Sequence, residues 1–83
     1  MRKDKETYYY DTVFAQRLRA AMRLRDVDTE ELADSVYICK NTMLKYRTGR
    51  IAPKVEMIVS ICRVLDISAD YLLGLTDEKR ELK

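Results

Sequence analysis

Residues 28–50 read DTEELADSVYICKNTMLKYRTGR. Two short helical patterns lie in this stretch with a break between them. Asp28 followed three residues later by Glu31 has the form of a capping box, with Asp28 as N-cap and Glu31 at the third helical position. A short helix follows, with Leu32, Ala33 and Val36 apolar, until Tyr37-Ile38-Cys39 interrupts it. Residues 40–47 predict a second helix with Met43 and Tyr46 three apart on one side. Thr48-Gly49-Arg50 ends it, because glycine suits the left-handed position beyond a helix C-terminus. Helices this short are not stable alone. Leu32, Ala33, Val36, Ile38, Met43 and Tyr46 must therefore pack on neighbours, which turns Lys40, Asn41, Leu44 and Lys45 outward.

The flanks supply those neighbours. Residues 1–11 read as a polar N-terminal arm carrying Tyr8, Tyr9 and Tyr10. Asp11 or Thr12 can cap a helix over 12–25, whose stripe runs Phe14, Leu18, Ala21, Met22 and Arg25. Beyond the central pair, Pro53 stands where a fourth helix begins, with Val55, Ile58, Val59, Cys62 and Leu65 as its stripe. Ser68 caps a last helix containing Ala69 to Leu73, closed by Gly74, and 76–83 reads as a charged C-terminal tail that frays. The expectation is one all-α, five-helix domain over 12–75.

Composition agrees with that reading. Two glycines and one proline in 83 residues leave little room for the tight turns of a strand meander. No apolar run approaches the roughly 20 residues of a membrane span, and the basic start at Met1 to Lys5 is followed by no apolar stretch, so no signal peptide is expected. A cytoplasmic protein is the default. Cys39 and Cys62 read as reduced thiols behaving as small apolar residues. There is no histidine, which removes the commonest general base and metal ligand. With no glycine-rich phosphate loop and no nucleophile–base pair either, the inventory argues against an enzyme, a metal site or a cofactor.

Net charge is only +2, but its distribution is uneven. No acid lies between Asp34 and Glu56, while that window holds Lys40, Lys45, Arg47, Arg50 and Lys54. Arg17, Arg19, Arg23 and Arg25 add charge upstream. Such a stretch is the electrostatic footprint of phosphate contact; the plain alternative is a solvated helix face.

Three segments carry a family resemblance. FAQRLRAAMRLRDVDTEELADSV, ICKNTMLKYRTGRIAP and VEMIVSICRVLDISADYLLGLTD, the last with its DYLLGLTD signature, follow one another in order. From Phe14 to Thr76 the chain resembles the phage-repressor and Cro-type helix-turn-helix family, also called Xre-like. The resemblance implies a lambda-repressor-like fold and a sequence-specific regulator of transcription, in the sense of a repressor, that binds double-stranded DNA. It also implies a homodimer, often through the C-terminal helices, for which Met57, Tyr71, Leu73 and Leu75 are candidates as an exposed apolar patch, the plain alternative being that they finish the monomer core.

By that resemblance, Lys40, Asn41, Leu44 and Lys45 read bases in the major groove. Asn suits adenine, Lys suits guanine acceptors and Leu can meet a thymine methyl, although an ordinary exposed leucine is equally reasonable. Thr29, Thr42, Thr48, Arg50 and Lys54 are the phosphate candidates. Three departures stand out. Thr29 replaces the usual Gln. Tyr37 replaces a turn Gly, with either a left-handed backbone that costs about 1 kcal/mol or a ring that covers the core edge. Met22 and Arg47 replace an ion pair, which should free Arg47 to join the phosphate set. A helix-turn-helix fold serving as a protein-interaction module, such as a toxin–antitoxin partner, is the alternative: Glu30, Glu31 and Asp34 would lie near the duplex. Cys39 at the start of the reading helix also admits a redox role.

Overall fold

The computed structural model describes residues 12–79. Five helices follow in order: α1 Val13–Arg25, α2 Thr29–Ser35, α3 Lys40–Arg47, α4 Val55–Leu65 and α5 Ala69–Leu72. No helix among the described residues is long and apolar enough to cross a membrane. The arm at 1–11, with its three tyrosines, lies outside the described residues.

Side chains start three of the helices. Thr12 accepts from the Ala15 amide, Ser68 accepts from the Tyr71 amide, and the Asp28–Glu31 capping box forms in both directions. α4 begins after Lys54, two residues past the position at which Pro53 was expected to open it.

The five helices end in one common way. Each is followed by a residue at positive φ: Asp26, Tyr37, Gly49, Asp66 and Gly74. The next amide then reaches back five residues: Val27 to Met22, Ile38 to Ala33, Arg50 to Lys45, Ile67 to Cys62 and Leu75 to Asp70, at 2.8–3.1 Å. This is the Schellman arrangement, which satisfies carbonyls that the helix leaves open. Tyr37 is the one bulky side chain in that set of left-handed positions. Its ring is 94% exposed, so it does not cover the core edge.

The core gathers Leu18, Ala21, Met22, Leu32, Ala33, Val36, Met43, Tyr46, Ile61, Cys62, Leu65, Ile67, Tyr71 and Leu72, with Phe14 and Ile38 packed at its margin. Two expectations are corrected. The apolar face of α4 is rotated, so that Ile61 is buried while Val55 and Val59 point out. In a helix this apolar, several stripes fit the period, and packing against α1 and α5 decides among them. Tyr71 completes the core instead of an exposed patch, whereas Leu73 and Leu75 are exposed.

Three arginines of α1 tie the helices together. Arg17 donates to the carbonyls of Tyr71 (3.3 Å) and Thr76 (2.7 Å) and to Oδ1 of Asp77 (2.8 Å), with its guanidinium 4.4 Å from the Tyr71 ring centre. Arg19 donates to the Arg47 carbonyl at 2.6 Å. Arg25 donates to the carbonyls of Leu65 and Asp66 at 2.7 and 2.8 Å. These contacts put a cation on the carbonyl-rich ends of α5, α3 and α4, where the helix dipole is negative. The charge of α1 is thus largely a structural device. The contacts also anchor Thr76 and Asp77, the first residues of the expected fraying tail.

Candidate nucleic-acid interface

α2 and α3 pack against each other across the Val36–Cys39 turn, and α3 buries Met43 and Tyr46 against α1 and α2. Lys40, Asn41, Leu44 and Lys45 are all exposed on its other side. Asn41, Leu44 and Lys45 share one shallow hollow of about 350 Å³ with Thr48 and Arg50. Lys40 and Leu44 line an adjoining hollow of about 410 Å³ with Asp28, Thr29, Glu30 and Arg47. Leu44 thus borders both hollows. Lys54 lies apart, in a groove with Tyr46, Ile51, Ala52, Glu56 and Met57.

The expected phosphate threonines have internal partners. The Thr48 hydroxyl donates to the Leu44 carbonyl at 2.9 Å, extending the end of α3. The Thr42 hydroxyl lies 3.2 Å from Cys39 Sγ. The Thr29 hydroxyl accepts from Nη1 of Arg47, and Thr29 is only 7% exposed. The release of Arg47 expected from the missing ion pair is thereby corrected. The Arg47 guanidinium takes the Thr29 hydroxyl as its partner, and Arg19 holds its carbonyl.

The two thiols differ. Cys39 is exposed at the N-cap of α3, and the Thr42 side chain and backbone hold its thiol below the ordinary range. Cys62 is in the core, and burial pushes its thiol up.

An exposed, acid-free helix held by a short turn on a preceding helix, within a five-helix core, defines a helix-turn-helix domain. No family model matches the chain. Over 66 residues it is 33% identical to the HTH-type transcriptional regulator YobD of Bacillus subtilis, covering 80% of this chain and 59% of the relative. It is 27% identical over 62 residues to the cryptic phage CTXphi transcriptional repressor RstR of Vibrio cholerae, covering 75% of this chain and 56% of the relative. The chain thus spans somewhat over half the length of these curated relatives. In fold it is similar to the clp gene regulator ClgR from C. glutamicum, with TM-score 0.69, 22% identity, and 75% and 80% of the two chains covered. The relatives support the phage-repressor, Xre-like helix-turn-helix family, and the likeness to ClgR shows the fold.

Proposed function

We propose that the chain is a non-enzymatic, sequence-specific binder of double-stranded DNA that regulates transcription, acting as a repressor in the cytoplasm. The carrying observation is the outer face of α3, where Lys40, Asn41, Leu44 and Lys45 stand exposed beside Arg50 with no acid between Asp34 and Glu56. A helix fits the major groove, and amide and ammonium groups at this spacing match base-edge acceptors and donors. Asn41 reads adenine, Lys40 and Lys45 favour guanine, and Leu44 meets a thymine methyl. Phosphate contacts come from Arg50 and Lys54, with Thr42 and Thr48 at the edge of the site. The similarity to YobD, a transcriptional regulator, and to RstR, a phage transcriptional repressor, supports this reading.

One such unit makes a small interface, so we propose a homodimer on a two-fold symmetric site with half-sites about 34 Å apart. The exposed Leu73 and Leu75 beyond α5 are the candidates for the dimer contact. Selection from a randomised duplex library at two salt concentrations tests the reading. Enrichment of a symmetric sequence, with affinity falling steeply with salt, is expected. Absence of enrichment overturns it in favour of a protein-interaction module.

A further inference from the structure

Arg47 is the basic residue of α3 that is half-buried, whereas Lys40 and Lys45 are exposed. It lies beside a hollow lined by Arg19, Met22, Arg23, Asp26, Val27, Asp28 and Thr29. One end of its guanidinium donates to the Thr29 hydroxyl in the first turn of α2. Its Nε is buried without a hydrogen-bond partner. Its carbonyl accepts from Arg19 of α1. Thr29 is the one polar side chain in the buried set of the described residues. Swinging the Arg47 guanidinium off Thr29 would leave that hydroxyl buried without its donor, which is costly.

We propose that Arg47 and Thr29 form an internal strut that fixes α2 against α3, and that neither side chain contacts DNA. The inference rests on α3 being the reading helix, and it adds which residues do not read. Base reading is then confined to the outer face of α3. The strut acts by positioning, holding Lys40 and Lys45 at their angle to the groove.

The test uses the full chain and the duplex sequence enriched by selection. Dissociation constants are measured at several salt concentrations for Arg47→Ala, Thr29→Val, Thr29→Ser, the Arg47→Ala/Thr29→Val double variant, and Arg50→Ala. Arg47→Ala and Thr29→Val are expected to weaken the selected site to a similar degree, about tenfold. The double variant should be no weaker than either single one. Thr29→Ser keeps the hydroxyl and should bind like the parent. The salt slope should stay unchanged in all of these and fall by about one only in Arg50→Ala. A reduced slope in Arg47→Ala, or losses that simply add, overturns the strut. Thermal unfolding of the same four strut variants reads the pair without DNA. Non-additive stabilities with no duplex binding would sink the proposed function and keep the strut, whereas additive stabilities would sink the strut itself.

Discussion

Gly74 lies against the first residue of α1: a β-carbon placed on it would stand 2.7 Å from Cγ1 of Val13. Its φ is also 84°, in the left-handed region. Gly74→Ala therefore meets a steric and a conformational cost together, and a loss of about 2–4 kcal/mol is expected. Val13 is half exposed, so Val13→Ala should be mild alone and should restore part of the loss in the Gly74→Ala background. Urea unfolding of the four proteins measures this, and no recovery in the double variant would show that the clash is not the cause.

Tyr37→Gly should stabilise the protein by about 1 kcal/mol. The position has φ 63°, and the ring is out in solvent with no burial to lose. The gain is read from the thermal midpoint. A lower midpoint would mean that the ring makes stabilising contacts.

Arg25→Met removes the donor to two carbonyls that close α4 while keeping the apolar stem. A loss of about 1.5–3 kcal/mol is expected, as for a hydrogen bond to a charged group. Arg25→Lys should recover less than half, because one ammonium cannot reproduce the fork that reaches both oxygens. Equal stability of the methionine variant and the parent would refute the capping role.

Asn41→Ala and Arg50→Ala should part company on the selected duplex. The first is expected to cost about 1–3 kcal/mol on that sequence and to relax preference at one base pair. The second should weaken all sequences alike. The reverse pattern would mean that α3 does not enter the groove as proposed.

Alkylation should distinguish the thiols. Cys39 is exposed, and its lowered pKa means that thiolate is present at a lower pH than for an ordinary thiol, so its labelling rate should rise earlier as pH increases. Cys62 has the opposite shift and is buried, so it should react only on unfolding. Mass spectrometry of the folded protein at pH 7 should find the adduct on Cys39. An adduct on Cys62 at comparable rate would contradict the packing of α4.

Much of the architecture was readable because local signals agreed with the packing. Asp28 and Glu31 announced α2, and Gly49 and Gly74 marked two helix ends, since glycine is the usual occupant of a left-handed position. The ends at Asp26 and Asp66 are less legible, because aspartate serves many local roles. The face of α4 was read a step out of phase because Val55, Val59 and Ile61 are equally apolar, and only the third dimension chooses among them. The outer residues of α3 followed from burial of Met43 and Tyr46. Missing from that reading were the partners of Arg17, Arg19 and Arg25, which, the Asp77 carboxylate on Arg17 aside, include backbone carbonyls 28 to 59 residues away. Every residue has a carbonyl, so no side-chain pattern points to such a partner. The charge of α1 consequently looked like part of a phosphate-binding surface. In the same way the loss of the ion pair at Met22 and Arg47 was visible, but the turn of Arg47 toward the Thr29 hydroxyl was not.

The α1 arginines also bear on how the domain opens. Each joins an early helix to the last turn of a distant one, so melting α3, α4 or α5 strips a guanidinium of its partners as well as exposing its own amides. Local fraying is then coupled to loss of the whole, and amide exchange across the core should proceed through one common opening instead of helix by helix. A domain held in this way presents α3 already set in place. Little ordering entropy remains to be lost when it docks, and dissociation rate, more than rearrangement, would govern how long it stays bound.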